Sequence, residues 1–364
     1  MSRPAHERYL LLDHGRGLAA LAVVSFHAAH QWIVGPAPAG LTWLAAIARE
    51  GWRGVHVFFV ISGYCIAQLA WREIRGRRSP LRFLRDRFLR IFPAYWAACL
   101  LAAALALMAL PFNELPLLST ATAPGALPSS VREWLGHSLL IEPLLGQQSY
   151  LLVAWTLSWE LAYYVMVAIL VVVGVQLGVI PALLLALLAA LAGACPPCLA
   201  QLPALGGWTE FTCGAMIFGA ATARREGRPS WPWLTAMGLL GGLGLLVPAA
   251  SIMLSFSAAF AFLLHWLRPY DHILAHRPGF IWLGALGAMS YSIYLVHAPV
   301  ISPVINLMRR QIPASSPYFL VPIFVAGAAG LATAGFFFRF VECRVEQWRK
   351  TRCPTLPPSP LSNS

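Results

Sequence analysis

An arginine and a histidine, Arg16 and His27, stand inside the first long apolar run of the chain, Leu10 to Val34. Ionisable groups in a segment that should cross hydrocarbon are functional candidates, because each must find a partner or a watered cavity there. Eleven positions separate them, so on an α-helix they share an azimuth and lie roughly 16 Å apart along the axis. One face then carries a fixed cation and a proton acceptor, the equipment for abstracting a proton beside a charged ligand. Asp13, three residues before Arg16, is spaced to pair with the guanidinium. Glu160, in the stretch Trp155-Thr156-Leu157-Ser158-Trp159-Glu160, reads as the only glutamate well inside a span. Tyr164, one turn on, can hold its carboxyl, and its depth is comparable with that of His27. Arg87 and Arg90 share a face at the start of another apolar run, where guanidinium forks suit phosphate oxygens. Ser290, Tyr294 and His297 fall at i, i+4 and i+7 and make a polar stripe on a greasy helix. Ser62 precedes Gly63 in Phe58-Phe59-Val60-Ile61-Ser62-Gly63.

Each group also has a plainer reading. Arg16 can snorkel to the inner interface, His27 can be a structural hydrogen-bonding histidine, and Glu160 one half of a buried pair. Arg87 and Arg90 also fit simple orientation bias. The Ser62-Gly63 step suits close helix packing, and Tyr294 or His297 suits interfacial anchoring.

The elements that must position these residues are membrane helices. Of 364 residues 59% are hydrophobic and 11% charged, and the mean hydropathy is +0.67, outside the range of an ordinary soluble domain. Runs long enough to span a bilayer occur at 10–34, 54–71, 88–110, 153–174, 177–194, 207–223, 231–249, 250–267, 279–303 and 319–341. The chain is therefore expected to be an all-α integral membrane protein of about ten transmembrane helices. Only Val247-Pro248-Ala249-Ala250-Ser251 separates the seventh run from the eighth. With both termini cytoplasmic, 20 of the 26 Lys and Arg residues fall on inner segments, five on outer ones (Arg49, Arg53, Arg132, Arg309 and Arg310), and Arg16 lies within a span. That asymmetry agrees with the positive-inside rule.

Orientation also accounts for the net charge of +12, so no nucleic-acid partner is expected. Cys195-Pro196-Pro197-Cys198 offers two ligands where a structural zinc needs four, and no metal is expected. The membrane domain is placed at 1–345. Residues 346–364, which turn Pro- and Ser-rich, are expected to form a disordered cytoplasmic tail. The stretch 111–152, with an amphipathic patch near Val131 to Leu145, is expected to cap the outer opening of a cavity. The sequence shows no internal repeat, which argues against an inverted-repeat transporter.

Taken together, these motifs resemble the acyltransferase-3 family of bacterial membrane O-acyltransferases. The resemblance runs through most of the chain. Its parts are Leu12-Asp13 to His27, Gly54 to Gly63, Arg87-x-x-Arg90 with Pro93, Trp155 to Tyr164, and Ser290-Tyr291-x-x-Tyr294-Leu295-x-His297. His56 departs from the family pattern, where an acidic residue is common, as do His14-Gly15 and Cys343. The resemblance implies an acyltransferase, of O-acetyltransferase type, in the bacterial inner membrane. It would move an acyl group, commonly acetyl, from cytoplasmic acyl-CoA to a hydroxyl of an extracytoplasmic or lipid-linked carbohydrate. Acyl-CoA is then a co-substrate, with no permanently bound cofactor, and the partners are membrane lipid and a carbohydrate or glycolipid acceptor.

On that reading Arg87, Arg90 and Arg16 handle the donor, His27 is the general base, and Glu160 orients it. Ser62, Ser158 or Tyr294 donates to the oxyanion, and Asp13, Tyr164, Ser290 and His297 are supporting residues. Direct transfer and an acyl-His27 relay both stay open. The rival from another class is a proton-coupled transporter or flippase for a glycan intermediate, using His27 and Glu160 as a relay.

Overall fold

The computed structural model describes residues 9–33, 40–76, 79–109, 128, 130–178, 185, 186, 188, 207–246, 252–312 and 318–352. All regular structure in these residues is helical. In chain order we label α1 Leu11–Trp32, α2 Thr42–Arg49, α3 Gly54–Arg75, α4 Pro80–Ala109, α5 Val131–Leu139, α6 Trp155–Gln176 and α7 Trp208–Arg225. There follow α8 Trp231–Leu246, α9 Ile252–Leu267, α10 Asp271–Ala275, α11 Ile281–Ala288, α12 Ser290–Gln311, α13 Val321–Phe337 and α14 Cys343–Arg352. Five helical stretches, Thr42–Arg75, Pro80–Met108, Trp155–Gln176, Ser290–Gln311 and Val321–Thr351, are long and apolar enough to cross a membrane. The protein is a multi-pass membrane protein. The expected fifth span, nearly all of it, and the Cys195–Cys198 pair lie outside the described residues.

Helices α3 and α7 run parallel. His56 meets Glu210 near their starts, and Arg75 meets Glu226 at their ends, 2.5 Å apart. Glycines set how closely they cross. A Cβ on Gly63 would stand 1.9 Å from the Phe211 carbonyl oxygen, and one on Gly214 would stand 1.9 Å from that of Val60. Apolar helices in lipid gain no hydrophobic drive from pairing, so this backbone-to-backbone contact supplies the association. The packing reading of the Ser62-Gly63 step therefore holds for the glycine.

Three boundaries differ from the sequence reading. The ninth run is broken at Met289 into α11 and α12. Its first part packs against α1 too closely for side chains, since a Cβ on Gly287 would stand 1.8 Å from the Asp13 carbonyl oxygen. The helix restarts at Ser290, where Glu342 accepts from the Ser292 backbone N–H at 3.2 Å and also from its hydroxyl. A carboxylate at a helix N-terminus offsets the exposed peptide dipoles.

The second difference concerns the tail. After α13 comes a π-turn, Phe338–Glu342, and then α14 continues to Arg352, past the expected domain end at 345. Residues 346–352 are thus helical, not part of a disordered tail. Glu346 takes a two-pronged bond from Arg349 (2.7 and 2.8 Å) and stands 3.7 Å from Lys350, pairs that stiffen the last turns. Residues 353–364 lie outside the described residues. The seventh and eighth runs, in contrast, form two separate helices joined by a bond from Ser255 Oγ to the Gly241 carbonyl, 2.8 Å.

The third difference is one of level. Cβ atoms on Gly51 and Gly54 would touch the Ala22 and Ala19 carbonyls, so α3 begins beside the middle of α1. Arg53, assigned to the outer surface by charge counting, stands at that level. It pairs with Glu50 at 2.7 Å and lies over the Phe256 ring at 5.8 Å.

Candidate active site

Five helices converge on a partly open cavity with roughly 650 Å³ of empty space. α1 supplies Arg16, α3 Ser62, α4 Arg90, α6 Thr156, Glu160 and Tyr164, and α12 Ser290, Tyr291 and Tyr294, with Val55, Phe58, Phe59, Ile91 and Leu157 as apolar wall. Two guanidiniums and one carboxylate thus face a space otherwise lined by aromatic and aliphatic groups. Arg90 also has an exposed face.

Arg16 is held at its base by Asp13, 3.8 Å away, the i, i+3 spacing read from sequence. Its other terminal nitrogen reaches Cys65 Sγ at 3.5 Å. Glu160 accepts from the Tyr164 hydroxyl at 2.5 Å. Arg87 and Arg90 both stand within electrostatic range of that Glu160–Tyr164 pair. Arg87 Nε is buried with no hydrogen-bond partner among the described residues. Glu342, at the π-turn, is also in range of Arg90. π-turns within α-helices recur at functional sites.

His27 is not among the residues lining the cavity. Its ring lies 5.1 Å from that of His297, centroid to centroid, and its neighbour Phe26 stacks on His30 at 5.3 Å. Tyr294 joins the two regions. It lines the cavity, bonds Thr156 Oγ1 at 2.5 Å and the Val153 carbonyl at 3.0 Å, and has its ring 6.1 Å from that of His297. The stripe on α12 therefore runs from Ser290 in the cavity to His297 beside His27. Glu160, expected to share a level with His27 and orient it, instead keeps company with Arg16, Arg87 and Arg90. Helix α6 starts at Trp155 with Thr156 already at the level of Tyr294, so Glu160, one turn deeper, falls on the arginine side.

Ser158 points elsewhere. Its hydroxyl donates to Glu142 at 3.2 Å, and the other oxygen of that carboxylate stands 3.4 Å from His137 Nδ1. Glu142 belongs to the short 3-10 turn Glu142–Leu145, which with α5 lies in the stretch expected to form an outer cap, though no described residue of that stretch lines this cavity. Tyr95 and Trp96 of α4 fasten that cap by donating to the carbonyls of His137 and Ser138, each at 2.9 Å. Burial raises the Glu142 carboxyl above the usual carboxylate range, and hydrogen bonds from His137 and Ser158 oppose the rise.

Sequence reasoning missed two buried carboxylates, Glu142 and Glu210, and the half-buried Glu342. Glu210 accepts from Thr209 at 2.8 Å and stands 3.1 Å from His56 Nδ1, so Glu160 is not alone within the helical body. Nothing in the linear order shows that α3, whose His56 meets Glu210, begins beside the middle of α1. His56 itself was legible as the departure in its motif.

Residues 9–338 match the model of a family described as an acyltransferase domain. "Protein 2 in picA locus" of Rhizobium radiobacter is 37% identical over 105 residues, which is 29% of this chain and 49% of that protein. The aligned part of the chain thus spans about half the length of that curated relative. No solved structure matches the chain.

Proposed function

The chain belongs to the acyltransferase-3 family, and on that premise we propose that it moves an acyl group, acetyl in the simplest case, from acyl-CoA to a hydroxyl of an extracytoplasmic or lipid-linked carbohydrate. The observation that carries this reading is the cavity that joins Arg16, Arg90 and Glu160, with Tyr294 in its lining and the His297 and His27 rings packed in succession behind it. A transporter has no need of clustered guanidiniums beside an unpartnered Arg87 Nε. A donor with phosphates does. We infer the ten-span arrangement with cytoplasmic termini in a bacterial inner membrane, the shorter helices completing the count.

Arg87 and Arg90 would hold the coenzyme A phosphates at the cytoplasmic mouth, and Arg16, anchored by Asp13, would stand nearer the thioester carbonyl. Glu160, held by Tyr164, keeps that cluster from repelling itself. His27 would take the proton of the acceptor hydroxyl as its oxygen attacks the thioester carbon. Ser62 is the cavity-lining hydroxyl suited to the oxyanion, since Ser158 and Tyr294 are bonded elsewhere. Collapse of the tetrahedral intermediate forms the ester, breaks the C–S bond, and returns the proton from His27 to the coenzyme A thiolate.

The test has two parts. Purified protein with acetyl-CoA and an acceptor-bearing membrane extract should release free thiol. Envelope glycans from cells with and without the protein should differ by one acyl mass. Protein that neither binds coenzyme A nor releases thiol, together with unchanged glycans, overturns the reading.

A further inference from the structure

We propose that His297 is a positioning residue that fixes the tautomer and aim of His27, resting on the acyl-transfer reading above. His297 is fully buried on α12. Its Nδ1 lies 2.8 Å from the Ile293 carbonyl oxygen. A carbonyl can only accept, so the ring proton sits on Nδ1 and Nε2 is left as an acceptor. That Nε2 is buried with no hydrogen-bond partner among the described residues.

A buried polar nitrogen left unpaired is costly, and native interiors rarely tolerate one without a reason. The ring facing His297 is that of His27, 5.1 Å between centroids and tilted by 51°. An N–H of His27 directed at His297 Nε2 satisfies the orphan acceptor. It also commits the proton of neutral His27 to that nitrogen and leaves the other as a lone pair, which is what a general base for a hydroxyl requires. When His27 takes the hydroxyl proton, a bond so formed to His297 Nε2 strengthens with the charge on the donor. The role is that of the orienting group in a base dyad, filled by a neutral ring instead of a carboxylate.

Two substitutions separate aim from packing. In His297→Asn the short amide can still donate to the Ile293 carbonyl but does not extend to His27. In His297→Gln the amide oxygen reaches close to the former Nε2. Removing an orienting partner typically lowers activity about 10- to 100-fold, so H297N should lose that much in kcat, with KM for acetyl-CoA within about twofold. H297Q should recover most of the loss. H297N at the wild-type kcat overturns the proposal. So does an equal loss in H297N and H297Q, whether in kcat or in the yield of folded protein, because packing then explains everything. Wild-type protein that releases no thiol from acetyl-CoA overturns the acyl-transfer reading itself, a result distinct from either.

Discussion

The crossing of α3 and α7 holds the helix that carries Ser62 and Phe59 into the cavity lining, and substituting its glycines measures how tightly. Gly63→Ala places a Cβ 1.9 Å from the Phe211 carbonyl oxygen and 2.6 Å from its carbon, against about 3.4 Å for ordinary contact. The obstacle is backbone, which no rotamer change relieves, so the helices must separate by about 1.5 Å at the crossing. Overpacking of this kind costs up to about 3 kcal/mol. The better helix propensity of alanine returns about 1 kcal/mol, leaving about 2 kcal/mol net. Thermal unfolding in detergent should then fall by about 2–3 °C. Gly214→Ala meets the Val60 carbonyl at the same 1.9 Å and should behave alike. Both alanines demand the same separation, so the double variant should lose markedly less than the sum, with a coupling of about 1–2 kcal/mol. Because Ser62 and Phe59 line the cavity from α3, turnover should fall with stability. Gly238→Ala, whose Cβ would meet only Phe262 at 3.8 Å, is the control. Strict additivity, or G63A unfolding at the wild-type temperature, would refute a backbone-limited crossing.

Other perturbations address the chemistry and the cap. Arg90→Ala should raise the KM for acetyl-CoA by about 10-fold or more, as loss of one charge-assisted contact of about 1.5–3 kcal/mol predicts, while Arg90→Lys restores charge without the fork and recovers only part; equal KM values in steady-state assays would remove Arg90 from donor binding. His27→Ala should abolish thiol release yet leave coenzyme A affinity within about twofold by calorimetry. Labelled acetyl-CoA without acceptor distinguishes the two transfer routes, since an acyl group trapped on His27 establishes the relay and its absence favours direct transfer. Burial raises the Glu142 carboxyl, so its contribution to stability is present below the ordinary carboxylate pKa and is lost as pH rises through the raised one. Wild-type thermal stability should accordingly decline as pH rises above the ordinary carboxylate pKa, and Glu142→Gln should flatten that decline; an unchanged slope rejects Glu142 as its source.

What could be read from sequence was whatever a single helix determines. The i, i+3 pairing of Asp13 with Arg16, the i, i+4 bond of Tyr164 to Glu160, and the stripe from Ser290 to His297 all follow from helical periodicity. The separation of α8 from α9 followed from turn chemistry at residues 247–251. Relations between helices were not legible, because depth along one helix says nothing about where its neighbour begins. Placing Glu160 level with His27 assumed that both spans start at the membrane surface, whereas Thr156, in the first turn of α6, already bonds Tyr294 and leaves Glu160 a turn deeper. Likewise Glu342 was visible only as a residue near the end of a span. Its role at the start of α12 depends on a π-turn that periodicity cannot foresee.

The same geometry explains why the arginines remain available to a ligand despite six carboxylates in the neighbourhood. Asp13 stands at the limit of ion-pair distance from Arg16, 3.8 Å, and leaves the far nitrogen directed at a thiol. Glu342 is committed to the N-terminus of α12 through Ser292, Glu346 to Arg349, and Glu160 to the Tyr164 hydroxyl. Glu210 and Glu142 are bound to His56 and His137, away from the cavity lining. Apart from Asp13, each carboxylate is thus occupied by a donor other than a cavity guanidinium. In a low-dielectric body a guanidinium without a dedicated counter-ion is costly, a cost that an anionic ligand in the cavity would offset. Binding of a phosphate-bearing donor would then form charge-assisted bonds, and the affinity so gained should fall steeply with ionic strength.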